Sequence, residues 1–276
     1  MPGYDLHSHS NRSDGTLSPA EVMRLAAKRD LAGVALTDHD TFEGLEEAAA
    51  QADELGLDFV PGIEFSAEYA AASLHILGYW TDPDDRAIEA ELLRLTATRF
   101  RRGEMIVEKL RELGFAISLE RVLELAGGEA IARPHIAQAM VEAGIVAEEK
   151  EAFDRYISDE GLAYVPKHAL PPMEALRLIG DAGGVCVLAH PGMWRGNDTV
   201  PDELIEEMAA GGMVGLEVLH PDHDEEMRAK YSAIAERLDL VATSASDCHG
   251  ERYGFRMGEE RTGAETFAEL KRRAGR

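Results

Sequence analysis

Tyr4-Asp5-Leu6-His7-Ser8-His9 is a short β-like run that leads, through Ser10-Asn11-Arg12-Ser13-Asp14-Gly15, into a helix beginning near Pro19. The helix start is well marked. Ser18 can cap it, Pro19 suits the first helical position, and Glu21 sits three residues after the cap. The same order repeats: Gly33 to Asp38 reads as a strand and a helix follows from about Phe42, then Phe59 to Phe65 and Leu74 to Tyr79 read as strands. This alternation is the grammar of a mostly parallel sheet wrapped by helices, an α/β fold. It resumes late in the chain, with strands over Gly184 to His190, Val214 to His220 and Leu240 to Asp247. Helices fall around Met173 to Ala182, Pro201 to Ala210 and Glu225 to Leu238, and a terminal helix spans Glu265 to Arg276. Between about Pro83 and Tyr164 the pattern is helical only. The expected organisation is therefore a barrel domain in two segments, 1–82 and 166–276, split by a helical insertion over 83–165.

A chain of 276 residues, 45% of them hydrophobic, can bury one large core or one core and a smaller appended unit, which excludes a disordered or fibrous class. Apolar runs such as Gly184 to Ala189 and Val214 to Leu219 fall far short of the roughly 20 residues a membrane span needs, and no basic-then-apolar leader opens the chain. The expectation is a soluble, cytoplasmic protein with no membrane partner. Two cysteines, Cys186 and Cys248, support neither a disulfide framework nor a Cys-rich zinc site, so any metal must be held by His, Asp and Glu. The net charge of −24 would repel a long phosphate backbone and excludes an extended duplex nucleic-acid partner. A small anionic substrate would need local positive charge.

Histidines and carboxylates gather at the strand ends. His7 and His9 stand two apart on a strand, so their side chains point the same way and can grip one ion. Ser13-Asp14-Gly15 turns away beside them. The next runs end in Thr37-Asp38-His39-Asp40 and Gly62-Ile63-Glu64; Leu74-His75-Ile76, Ala189-His190-Pro191 and Ser246-Asp247-Cys248-His249 follow. In parallel barrels the C-terminal strand ends share one face, so these groups are expected to converge there. A lone histidine at a strand end is more often structural; six, accompanied by Asp14, Glu64 and Asp247, point to a metal centre. Imidazoles with carboxylates suit manganese, zinc or iron, whereas magnesium and calcium prefer oxygen alone.

His7-Ser8-His9-Ser10-Asn11-Arg12-Ser13-Asp14-Gly15, Thr37-Asp38-His39-Asp40, Pro61-Gly62-Ile63-Glu64, Leu74-His75-Ile76-Leu77-Gly78-Tyr79, Ala189-His190-Pro191-Gly192 and Ser246-Asp247-Cys248-His249-Gly250 resemble, in order, the motifs of the PHP (polymerase and histidinol phosphatase) superfamily. The resemblance implies a distorted seven-stranded β/α barrel carrying two or three divalent ions, manganese first and zinc or iron as alternatives. It implies one ion on His7, His9, Glu64 and Asp247, a second on the bridging Glu64 with His75 and His190, and a third on Asp14, His39 and His249. The split barrel is similar to bacterial 3′,5′-nucleoside bisphosphate phosphatases, also described as 5′-to-3′ exoribonucleases.

In the insertion, Leu92, Leu95, Ile106 and Leu113 form a stripe of threes and fours that also carries Arg99 and Arg102, which suggests that a packing face turns into a cleft. Arg133-Pro134-His135 and Pro166-Lys167-His168 resemble the family's phosphate-binding positions. Arg99, Arg102, Arg133, His135 and Lys167 are thus the candidate substrate residues of a helical lid. The expected reaction is hydrolysis of a phosphate ester by a metal-bound hydroxide. The leaving-group acid is not legible, His135 being a weak candidate and His190 better occupied as a ligand. The expected substrate is a small phosphorylated nucleotide or short RNA, with no obligate protein partner. Histidinol-phosphate phosphatase is the enzymatic alternative, and a non-catalytic or polymerase-associated metal-binding module the alternative of another class. Cys248 reads as packing, His220 and His223 as surface or loop residues with a supporting role behind the ligands as the alternative, and no glycine run matches a P-loop or dinucleotide fingerprint.

Overall fold

The computed structural model describes residues 3–276 except 71, 127–130, 132, 159–160, 166–169, 195–198 and 252–253, and omits the side chain of Arg99. By compactness the chain divides into two units, Met1–Glu89 with Leu170–Arg276, and Ala90–Ala169. The boundaries expected from sequence lay a few residues earlier, at 83 and 165.

The first unit is a seven-stranded, nearly closed barrel with strand order β1-β2-β3-β4-β5-β6-β7. The strands are β1 (Tyr4–Asp5), β2 (Gly33–Leu36), β3 (Asp58–Tyr69), β4 (Ala72–Tyr79), β5 (Val185–Leu188), β6 (Gly215–Leu219) and β7 (Val241–Ser244). Parallel bridging of Ser8 to Cys248 and antiparallel bridging of Tyr4 to Thr262 bring the two ends of the sheet together. Helices α1 (Pro19–Lys28) and α2 (Leu45–Leu55) precede the insertion. The capping box expected at Ser18 and Glu21 is formed on both sides.

Strand β2 shows how the layers are built. Its residues are all buried, and alternation sends Ala35 to the cluster that holds Leu6, Val60, Leu77 and Tyr79, and Val34 and Leu36 to Val22, Met23, Ala48 and Ala52 of α1 and α2. The Tyr79 hydroxyl, buried with the first cluster, donates to the Leu6 carbonyl at 2.7 Å, so its polar end is satisfied.

One departure from the expected parallel sheet bears on the site. β4 runs antiparallel to both β3 and β5. Its N-terminal half therefore lies at the mouth where its neighbours end, and His75, the fourth residue of β4, reaches that mouth without being at a C-terminal strand end.

The second unit begins within α3 (Arg86–Glu112) and continues through α4 (Leu119–Leu125), α5 (Arg133–Glu142) and α6 (Glu149–Ala152), the last followed by a wide helical turn, Phe153–Ile157. Its own core includes Ile106, Leu110, Val122, Ile136, Met140 and Ile157. On the expected apolar stripe Leu95 and Ile106 are buried, but Leu113, just past the end of α3, is exposed. The chain then returns to the barrel through α7 (Pro172–Asp181), α8 (Asp202–Ala210), α9 (Glu225–Arg237) and α10 (Ala264–Arg273). Among the described residues, no helix is long and apolar enough to cross a membrane.

Candidate metal centre

His7 and His9 follow β1 on an extended segment, and both imidazoles are fully buried, with Nε2 atoms 3.3 and 3.2 Å from the Glu64 Oε2. The loop after them is shaped by Asp38, whose carboxylate accepts from the Ser10 amide at 2.7 Å, the Ser10 hydroxyl at 2.7 Å and the Ser13 hydroxyl at 2.6 Å. That loop delivers Asp14 to 3.2 Å from His249 Nε2 and 3.7 Å from His9 Nδ1. His39, just beyond β2, is bridged to Glu64 through the backbone and places Nδ1 3.0 Å from Oε2. On the other carboxylate oxygen, Oε1, His75 Nδ1 stands at 2.9 Å and His190 Nε2 at 3.2 Å. Asp247 Oδ1 lies 3.4, 3.1 and 3.5 Å from His7 Nε2, His9 Nε2 and His249 Nδ1.

All nine residues singled out from the sequence thus come together, in four overlapping groups: His9, Asp14, His39 and His249; His7, Glu64 and His190; His7, His9 and Asp247; and His39, Glu64 and His75. The grouping is more interleaved than the expected partition, because His39 faces Glu64 and His75 as well as Asp14 and His249.

The donor atoms fit a divalent cation. His7 Nε2, His9 Nε2, His39 Nδ1, Glu64 Oε2 and Asp247 Oδ1 are buried and close together, yet none is aligned for a hydrogen bond. Ligand atoms about 2.1 Å from one ion, at bond angles near 90–110°, lie about 3.0–3.4 Å apart, and that is the spacing of these atoms. Buried polar atoms without hydrogen bonds are costly unless a cation satisfies them.

Electrostatics favour the charged carboxylates. Burial would push the Glu64 carboxyl up, but the imidazoles of His39, His75 and His7 hold it well below the usual carboxylate range. Asp247 is held down in the same way against its burial by His7, His220 and His9. Conversely His9, whose burial would lower it, is pushed up to about 10 by Asp247 and Glu64. Such a site attracts positive charge. Backbone strain accompanies it: Asp247 has φ 49°, His190 φ 23° and the neighbouring Asp40 φ 50°, each costing on the order of 1–3 kcal/mol that the surrounding structure must hold in place.

Glu217 was not singled out from the sequence. It is fully buried in β6, with Oε1 3.3 Å from His7 Nδ1 and Oε2 accepting from the His190 amide at 2.8 Å. Its signal was a single charge inside the apolar run Leu216-Glu217-Val218-Leu219. His220 and His223 lie in the loop between β6 and α9, as expected, but the expected surface role is corrected, because both are buried. His220 Nδ1 accepts from the Asp222 amide at 3.1 Å, which leaves Nε2 to carry the proton 3.7 Å from Asp247 Oδ2. His223 Nε2 accepts from the Gly192 amide at 3.2 Å while Nδ1 faces the Val218 carbonyl at 2.9 Å, so it braces the turn after His190. Cys248 packs into the buried cluster of α1, α2 and β2, as expected.

Of the candidate substrate residues, Arg102 donates Nε to the Val165 carbonyl at 2.7 Å with its guanidinium 6.0 Å from the Tyr164 ring centre. Arg133, the first residue of α5, donates Nη1 to the Ile157 carbonyl at 3.3 Å and lies 6.0 Å from the Phe153 ring centre. His135 is half-buried in the first turn of α5. The side chain of Arg99, and Pro166, Lys167 and His168, lie outside the described residues.

A mixed seven-stranded barrel with nine converging histidines and carboxylates defines a metal-dependent hydrolase class, and comparison with known proteins agrees. The PHP domain model matches residues 5–157. A 3′,5′-nucleoside bisphosphate phosphatase of Chromobacterium violaceum is 35% identical over 257 residues, covering 93% of this chain and 90% of that protein. A 5′-3′ exoribonuclease of Haemophilus influenzae is 32% identical over 246 residues, 89% of each chain. A crystal structure from Bifidobacterium adolescentis, assigned to the metal-dependent phosphoesterases, superposes with a TM-score of 0.87 at 35% identity, covering 99% of this chain and 96% of that one. The chain belongs to the PHP domain family and is a metal-dependent phosphoester hydrolase.

Proposed function

We propose that this enzyme removes the 3′-phosphate from nucleoside 3′,5′-bisphosphates, and that it also trims short 5′-phosphorylated RNA slowly. The observation that carries the chemistry is the Glu64 carboxylate, with three imidazoles within 3.3 Å of one oxygen and two within 3.2 Å of the other. Divalent ions, two or three and preferably manganese, would supply an activated water and offset the charge that builds on the phosphoryl oxygens. His7, His9, Asp14, His39, Glu64, His75, His190, Asp247 and His249 would hold them, and Glu64, engaging imidazoles on both oxygens, is the residue suited to bridge two.

The substrate reading is supported by the Chromobacterium relative, similar over nearly its whole length, and by the cations of the helical unit. Arg99, Arg102, Arg133 and Lys167, with His135, are assigned to the phosphate that does not react. Arginine grips phosphate through charge-assisted bonds that contribute on the order of 1.5–3 kcal/mol each. A phosphate anchored away from the chemistry holds the reacting ester in line, so its binding appears in turnover as well as affinity. The trimming of RNA is supported by the Haemophilus relative, while the net charge of −24 disfavours long duplexes. We place the enzyme in the cytoplasm, without an obligate protein partner.

The test is kcat/KM for adenosine 3′,5′-bisphosphate, the two monophosphates and histidinol phosphate, in the wild type and in Arg133→Ala. The bisphosphate is expected to be preferred and the preference to shrink in the variant. Monophosphates that match the bisphosphate, or a preference untouched by Arg133→Ala, would refute the substrate assignment.

A further inference from the structure

Neither β6 nor the segment that follows it contributes any of the nine candidate ligands, yet the strand carries a buried carboxylate that touches two of them. The sheet register slips between Glu217 and Leu219, a bulge of the kind that re-aims a side chain beside a functional site. From that position Glu217 offers one oxygen to the His7 ring, at 3.3 Å, and the other to the His190 main chain, at 2.8 Å. A carboxylate only accepts hydrogen bonds, so His7 must carry a proton on Nδ1, which makes Nε2, facing Glu64 and Asp247, the nitrogen that would bind an ion. The same carboxylate holds the amide of His190 in its strained backbone conformation, while the His190 ring reaches Glu64 Oε1.

We propose that Glu217 is a positioning residue that orients His7 and His190 together, so that the ions these two residues hold bind as a coupled set. The proposal rests on the reading of His7 and His190 as metal ligands. Partners of this kind behind ligating histidines fix ring orientation and basicity, and their loss weakens metal affinity by about 10–100-fold. Glu217 differs from a simple partner in serving two ligands with two acceptor oxygens. Glutamine keeps the size but has one acceptor only, so Glu217→Gln must set an amide N–H against one of the two donors.

The experiment titrates manganese and zinc into chelator-stripped wild type, Glu217→Gln, His7→Ala and His190→Ala, reading affinity by competition with a chromophoric chelator and stoichiometry by elemental analysis. Glu217→Gln is expected to bind on the order of 10–100-fold more weakly while keeping the wild-type stoichiometry at saturation. Unchanged affinity overturns the proposal, and so does the outright loss of an equivalent, which would make Glu217 a ligand itself. Wild-type metal content in both histidine variants overturns the ligand reading and this one with it, whereas weakened histidine variants beside an unaffected Glu217→Gln overturn this one alone. Should Glu217→Gln fail to fold, long-range proton–nitrogen spectra of histidine-labelled wild type in its zinc form decide the matter. A proton on His7 Nδ1 is expected, and a proton on Nε2 overturns the proposal.

Discussion

The imidazole of His39 lies 3.0 Å from the carboxylate of Glu64, across a parallel backbone bridge between the same two residues. The segment just beyond β2 and the middle of β3 are thus joined at once through main chain and side chain, and the five imidazoles around Glu64 converge on a single buried charge.

Glu64→Gln is therefore expected to lower activity at least as far as the loss of any one histidine. The amide keeps the volume but removes the charge that offsets adjacent cations, and a fall of about 100-fold or more is expected, since loss of a partner behind a metal ligand alone costs about 10–100-fold. Turnover and metal content, measured on one preparation with a melting curve to establish folding, check it. Near-normal turnover with full metal content would exclude the bridge.

The pH dependence of stability is expected to differ in sign between metal-free and metal-loaded protein. In the metal-free protein His9 is pushed up to about 10 from an ordinary 6.5, against its burial, by Asp247 and Glu64. A raised histidine contributes stability that is fully present below about pH 6.5 and is lost as the pH rises toward 10. His39 is shifted far downward by burial, so its contribution is lost only below about pH 6.5, outside that window. Bound metal competes with protons for the same nitrogens, so its stabilisation grows as the pH rises. The gap in Tm between loaded and stripped protein should widen from pH 6.5 to 9; a constant gap contradicts this.

Ser18→Ala removes the cap of α1, where the Ser18 hydroxyl accepts from the Glu21 amide at 3.3 Å and the Ser18 amide donates to the Glu21 side chain at 2.8 Å. A loss of about 1 kcal/mol is expected, with no change in metal content. Denaturant unfolding of both proteins measures it.

Gly192→Ala is expected to cost activity without touching a ligand. A Cβ at Gly192 would stand 2.8 Å from His223 Cδ2 and 2.8 Å from the Met227 sulfur, so either the turn after His190 or the His223 ring that braces it must shift along with Met227. A fall of about tenfold or more in kcat is expected, because small displacements of positioned groups have effects of that order; unchanged kcat would show that the turn accommodates the methyl group.

Much of the centre was legible because metal ligation demands particular side chains, and His7-Ser8-His9, Glu64 and Asp247-Cys248-His249 carry them in or just after strand-like runs. The direction of β4 was not legible. His75 sits in Leu74-His75-Ile76, a run that looks the same whichever way its strand points, and strand direction is set by the connection, here the tight return between Tyr69 and Ala72. Glu217 escaped, and a supporting role for His220 and His223 stayed only the alternative, for a related reason. Their roles come from partners distant in sequence, His7, Asp247 and Gly192, which only the closed barrel brings within reach. The cations of the insertion stand apart: their residue types suit phosphate, but Arg102 and Arg133 also bond main-chain carbonyls of their own unit, so charge pattern alone does not separate a binding role from a bracing one.

The most direct test of the centre itself is the metal content of the purified protein, taken together with phosphoesterase activity before and after chelation on the same sample. Two or three equivalents of a divalent transition metal per chain are expected, with activity lost on chelation and regained when manganese is returned. Less than one equivalent, with activity indifferent to chelators, would contradict the account.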